Sequence, residues 1–302
     1  MKTRISDSVR TALAAAVASM LFGASVVATR FVVKQTQPVS LAFMRYFIAS
    51  CCLLPVLWQL RRSPPTRRDL ISMAALGVVF FGVFPWSFSA SLTYSSSSRV
   101  AVELATMPLL TLLISRLRGY DRITTPKLIG QILAFGGLFI ALRPAAGTPA
   151  LAPNVWIGDV LTFVTAFCGA IYNVFSRPLL RRYPPLQVTT LSMCAGMLFL
   201  APIAAANGLF SSVPVFTPAA WAALFFLGVL GGAFAFALWI WALQRSTPSR
   251  VAVFIAINPI TAITFGAVLL HEPVTFRFLI GFVGVIAGII LANWSPAGEI
   301  AR

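Results

Sequence analysis

What most constrains this chain is how far it runs without a charge. No Asp, Glu, Lys, Arg or His occurs from Leu70 to Ser98, from Tyr183 to Gln244, from Val251 to Leu270 or from Phe278 to Gly298. A helix crosses the hydrocarbon core of a bilayer in about 20 residues. The longest run must therefore hold two crossings, with "NGLFSSVPVFTP" at 207–218 as the turn between them. A soluble fold could not hide a composition that is 59% hydrophobic and only 10% charged. The chain is expected to be an all-α integral membrane protein. With the less clean segments included, ten transmembrane helices begin near residues 12, 39, 70, 98, 125, 157, 186, 219, 248 and 275. The intervening loops are short, so no soluble domain is expected.

The net charge of +16 would suggest nucleic acid in a soluble protein. Its distribution points elsewhere. Seventeen Lys and Arg fall on the side that holds both termini and alternate loops, five fall on the other side, and Arg45 lies inside a span. The bias places the richer side, with both termini, in the cytoplasm. The excess charge is thus a topology signal, the expected partner is the lipid bilayer, and no nucleic acid is implied. Arg61, Arg62, Arg67 and Arg68 form the densest basic cluster, read as topogenic. Cys51, Cys52, Cys168 and Cys194 show no CxxC spacing, so neither a zinc site nor a disulfide framework is indicated. No metal or other cofactor is expected.

One phrase occurs twice. "SRVAVELATMP" at 98–108 and "SRVAVFIAINP" at 249–259 share seven of eleven positions, and the ungapped stretches 98–144 and 249–295 agree at 13 of 47. The matches include Pro108 with Pro259, Gly130 with Gly281 and Gly137 with Gly288. Earlier, Gly23 and Ala24 fall on Gly169 and Ala170, so the first span has an internal counterpart and is not read as a cleaved signal. Two five-helix repeats are expected, residues 1–147 and 148–302. An odd number of spans per repeat inverts the second relative to the first, the geometry of alternating access. Pro108 and Pro259 should kink their helices near mid-membrane, because each removes an amide hydrogen and crowds the carbonyl four residues earlier. Ser98 and Thr247–Pro248 are expected helix starts.

Polar residues inside spans are the candidate site. Glu103 shares a helix face with Thr106, Met107 and Leu110, and in the other repeat its place is taken by Phe254. Two readings stand: binding an ammonium group or carrying a proton, and a structural ion pair with Arg45, which lies at nearly the same depth. Asn258, just before the kinking proline, can donate and accept, either to a ligand or to a neighbouring helix. Tyr172 and Asn173 lie beside Gly169. Trp58, Trp156, Trp221, Trp239, Trp241 and Trp294 fall near span ends as belt residues. Trp86, well inside "FFGVFPWSF", and Phe84 are expected to wall a substrate cavity.

"FGASVVATRFVVK", Pro38, Arg45 in "FMRYF", "RVAVELATMPLLTLLIS" and "VAVFIAINPITAITFGAVLLHEPVTFRFLIGFVGVIAGIIL" together resemble the EamA family of the drug/metabolite transporter superfamily. Glu272 matches the family's acidic residue before the final span. The pattern departs at Tyr120, Asp121 and Arg122, and at Phe22, where Trp is common. Within the family the chain is most similar to bacterial aromatic amino-acid exporters, which implies export of amino acids across the inner membrane. The expected substrate is a small molecule, held in a broad cavity between the repeats, and the oligomeric state, a monomer included, stays open. An enzyme is not expected, since one deep acid and one loop histidine supply no catalytic cluster. A multidrug, lipophilic-cation or lipid exporter of the same fold is the alternative, with Glu103 binding the cation.

Overall fold

The charge-free runs are helices. The computed structural model describes residues 2–59, 64–104, 106–119, 125–142, 154–211, 215–245, 253–272 and 274–293. Arg61, Arg62, Tyr120, Asp121, Arg122, Thr247, Pro248, Arg250 and Trp294 lie outside them. Helices α1 (Lys2–Val32), α2 (Pro38–Gln59), α3 (Arg67–Gly77) and α4 (Phe84–Tyr94) come first, with a π segment at Val78–Val83 joining the last two. Next are α5 (Ser97–Leu104), α6 (Met107–Leu117), α7 (Thr125–Leu142), α8 (Val155–Phe175), α9 (Arg177–Leu180) and α10 (Pro185–Ala206). Then α11 (Pro218–Phe225) leads through a second π segment, Phe226–Phe234, into α12 (Ala235–Arg245). A 3-10 turn at Val253–Ala256 precedes α13 (Ile257–Leu270), and α14 (Phe276–Asn293) ends the described chain.

Seven helical stretches are long and apolar enough to cross a membrane: Val9–Val32, Pro38–Gln59, Arg67–Tyr94, Ser97–Leu117, Val155–Phe175, Pro185–Ala206 and Pro218–Ala242. Shorter apolar helices occupy Leu128–Ala141, Ile257–Leu270 and Phe276–Gly288, where the fifth, ninth and tenth spans are expected. Among the described residues there is no β-strand.

Local sequence sets the starts and breaks. Thr66 caps α3, accepting the Asp69 amide at 3.3 Å, and Thr217 caps α11 ahead of Pro218, accepting that of Ala220 at 3.3 Å. The two π segments both fall within long spans, and the wider turn of each rotates the downstream residues about the helix axis. Near Pro108 the helix gives way: the Glu103 carbonyl accepts both the Thr106 amide, at 3.0 Å, and the Thr106 hydroxyl, at 2.6 Å. Near Pro259, the 3-10 turn passes into α13.

Two ends of the bundle differ in charge. Arg67, Arg68, Arg116, Arg118, Arg177, Arg181, Arg182 and Arg245 gather at one, called here the arginine-rich end. There Asp69 accepts from the Tyr183 hydroxyl at 2.8 Å and pairs with Arg182 at 3.3 Å, tying the start of α3 to the start of α10. At the opposite end Gln35 accepts from the Thr217 amide at 3.1 Å, and Arg30 donates to the Leu92 carbonyl. The main apolar core, with Val32, Leu41, Leu92, Val100, Phe216, Leu224 and Leu227, packs towards that opposite end.

Glycine sets the close contact of α7 with α14. A Cβ on Gly137 of α7 would lie 2.6 Å from the Gly281 carbonyl oxygen, and one on Gly288 of α14 would lie 2.5 Å from that of Gly130. The glycines matched in sequence thus meet crosswise, Gly137 against Gly281 and Gly288 against Gly130. Small residues allow this backbone approach, which supplies the van der Waals packing that holds membrane helices together.

Candidate substrate cavity

A cavity of about 130 Å³ lies at the centre of the bundle. Helices from both parts of the chain wall it: α1 gives Phe22, Ser25 and Val26, and α2 gives Arg45 and Tyr46. Phe80 comes from the first π segment, and Phe84 and Phe88 belong to α4. Ala101, Leu104 and Met107 flank the break between α5 and α6. Asn173, Phe236, Trp239, Asn258 and Pro259 complete the wall from α8, α12 and α13. The lining is aromatic and apolar with few polar groups, the composition of a site for an organic molecule.

The aromatic rings brace one another. Phe80 stacks on Tyr172 with centroids 4.3 Å apart, and its edge meets Phe81 at 4.9 Å. Phe22 contacts Phe236 at 5.0 Å and Trp239 at 6.2 Å. Tyr172 is therefore a support behind Phe80. Trp239 belongs to the cavity wall, whereas its place near the span end suggested a belt residue.

Arg45 supplies the cavity's charge. Its side chain is buried, one terminal nitrogen reaches the Gly231 carbonyl at 3.4 Å, and the guanidinium lies 5.4 Å from the Tyr46 ring centroid. Its Nε has no hydrogen-bond partner among the described residues. Asn258 likewise has a buried Oδ1 with no partner among them. A guanidinium carries five donors in a planar fork suited to a carboxylate. Leaving them unmet in an apolar bundle is costly unless a ligand or water completes them.

Other expected positions lie elsewhere. The Arg45–Glu103 ion pair is not formed: Glu103 Oε1 lies 3.4 Å from Arg99 Nε instead. The pairing failed because equal depth does not fix the rotation of a helix, and Glu103 faces away from Ala101 and Leu104, which line the cavity. Arg99 in turn forks Asp159, donating from Nε at 2.9 Å and from a terminal nitrogen at 2.8 Å. Thr106 is buried and committed to the Glu103 carbonyl. Trp86 is 43% exposed on the outside of the bundle and does not wall the cavity. Of the expected residues, the structure brings Phe84, Asn173, Asn258 and Pro259 together around the cavity, and leaves Glu103, Thr106, Trp86, Tyr172 and Pro108 out of its lining. Sequence reasoning missed Phe22, Tyr46, Phe80 and Phe236.

Val26, Phe88 and Ala101 of the cavity wall also belong to the main apolar core. At the arginine-poor end, the Glu272 carboxylate accepts from the Ser97 amide at 2.8 Å, the Ser98 amide at 3.1 Å and the Ser98 hydroxyl at 3.0 Å. It thereby caps α5, where the exposed amides favour a negative charge.

Comparison with known proteins agrees with this architecture. A solved crystal structure matches with a TM-score of 0.68 at 18% identity, over 94% of this chain and 96% of that one, which shows a shared fold. An uncharacterized transporter of Archaeoglobus fulgidus is 28% identical over 94% of this chain and 97% of its own length. The uncharacterized transporter YetK of Bacillus subtilis is 26% identical over 92% of this chain and 84% of its own. A probable terminal-alkyne amino-acid exporter of Streptantibioticus cattleyicolor is 26% identical over 86% of this chain and 85% of its own. The EamA-like transporter family model matches residues 9–143 and again 156–294. The chain belongs to the EamA-like transporter family and is a multi-pass membrane transporter.

Proposed function

We propose that the protein is a secondary transporter that exports amino acids, aromatic ones among them, across the bacterial inner membrane. The observation that carries this reading is Arg45, a buried guanidinium whose Nε has no partner among the described residues, in a cavity walled by aromatic rings. An amino acid supplies what such a site lacks: a carboxylate for Arg45, a donor for the Asn258 Oδ1, and a side chain for Phe22, Phe80, Phe84 and Trp239. With few fixed polar groups, the cavity discriminates weakly among side chains, so specificity is broad. The likeness to an amino-acid exporter supports the same class of substrate.

A lipophilic-cation exporter would need an anion facing its substrate. Glu103 lies outside the cavity, which weighs against that alternative. In the alternating-access reading, the chain comprises two inverted five-helix repeats with both termini and the arginine-rich end in the cytoplasm. The test is uptake of radiolabelled Phe, Trp, Met, Thr and Lys into liposomes holding the purified protein. Several should be taken up and compete with one another. Uptake of none by folded protein, or displacement by a lipophilic cation in preference to amino acids, would overturn the proposal.

A further inference from the structure

We propose that Glu103 is a proton-binding site, and that the proton it takes is exchanged for substrate. Only the second clause rests on the transport reading above.

Arg99 and Glu103 stand one turn apart on the same face of α5, against Asp159 and Thr162 of α8. The arrangement provides one guanidinium for two carboxyl groups. Asp159 holds the fork, at 2.9 and 2.8 Å, and Glu103 keeps only a 3.4 Å approach to an Nε already donated to Asp159. The Thr162 hydroxyl donates to the Gly158 carbonyl at 2.8 Å, so its proton is also spent. Glu103 is only 7% exposed, and neither of its carboxyl oxygens accepts a hydrogen bond. Ionised, it would be a second buried negative charge beside Asp159. A proton removes that charge and supplies a donor towards the neighbouring carboxylate.

Among the described residues, no other charged group settles the site. Of the elements packed on α5, α13 carries no titratable residue, α7 has only Lys127 in its first turn, and α4 has only Tyr94 at its end. Arg30 of α1 is directed to the Leu92 carbonyl, near Glu272. Arg99 and Asp159 are therefore the charged groups facing Glu103.

The position joins proton to substrate. Glu103 sits where the helix breaks, its carbonyl holding Thr106, and the same segment turns Ala101, Leu104 and Met107 into the cavity. With Glu103 protonated, Arg99 stays on Asp159, as in this structure. Loss of the proton makes Glu103 compete for Arg99 and draws α5 along α8, moving the cavity-lining residues on the other face. A proton that binds one arrangement better than the other shifts the population towards it.

Two measurements test this. The first needs no substrate: infrared difference spectra of the purified protein across a pH series should show the carbonyl stretch of a protonated carboxylic acid. Glu103→Gln should remove it. Asp159→Asn, which frees Arg99 to pair with an ionised Glu103, should also diminish it and serves if the first variant fails to fold. No acid band that either change removes would overturn the proposal, whatever the transport assays give. The second compares phenylalanine uptake into liposomes with acidic interiors against gradient-free counterflow, with the membrane potential clamped. One-for-one exchange gives about tenfold accumulation per pH unit, since a factor of ten corresponds to 1.4 kcal/mol. In Glu103→Gln the ratio of driven to gradient-free uptake should fall about tenfold. An unchanged ratio, or accumulation driven by sodium instead, would overturn the exchange. Absence of counterflow in the wild type would fault the amino-acid reading and leave the infrared result to judge the proton site.

Discussion

At the scale of residues, the charged groups divide the work by which face of a helix they occupy. Arg45 faces the cavity, while Glu103, Arg99 and Asp159 form a separate cluster between α5 and α8. Hydrogen bonds to a charged group contribute about 1.5–3 kcal/mol, so Arg45→Ala should weaken substrate binding about 10- to 100-fold. Competition binding would show it, and an affinity within twofold of wild type would remove Arg45 from the site. Glu272→Gln leaves the cap of α5 with a neutral acceptor for the Ser97 and Ser98 amides. It should lower stability by about 1 kcal/mol, read as a reduced midpoint of thermal unfolding in detergent. Depth along a span was legible in the sequence, and on that basis Arg45 and Glu103 were matched. Azimuth was not, because a kink at Pro108 and π segments elsewhere reset which face looks inward. The four-residue spacing of Arg99 and Glu103 was the available clue.

Among elements, the α7–α14 pair shows how small residues determine packing. Gly137→Ala would place a Cβ 2.6 Å from the Gly281 carbonyl, where backbone on both sides leaves no room to yield. Overpacking of this kind costs about 1–3 kcal/mol. Gly136→Ala, one residue earlier with no atom within 4 Å, should be neutral or stabilising by up to about 1 kcal/mol. Equal effects from the two changes in a thermal unfolding comparison would contradict the packing. The sequence singled out Gly130, Gly137, Gly281 and Gly288 because they recur. Their crosswise meeting is a product of tertiary packing, which a match between distant segments does not specify. The π segments at Val78–Val83 and Phe226–Phe234 carried no such signal, and so Phe80 and Phe236 were missed from the cavity.

At the scale of the molecule, charge-free runs revealed the helical membrane architecture, and most apolar helices begin within a few residues of where the sequence placed them; the ninth, expected from near residue 248, is described as a helix only from Ile257. Composition could not reveal a cavity, because the residues that line it are as apolar as those that meet lipid. Trp86 and Trp239 exchange roles for this reason: the deeper one faces outward, and the one near a span end lines the cavity. The central claim is that this cavity recognises an amino acid through its carboxylate. Phenylalanine and its decarboxylated amine present the same ring and the same ammonium group, and differ in what Arg45 would hold. Competition of each against radiolabelled phenylalanine in counterflow, with wild-type protein in liposomes, separates them directly. Phenylalanine should compete at least tenfold more strongly than the amine; equal competition by both would contradict the assignment of Arg45 and of the substrate class.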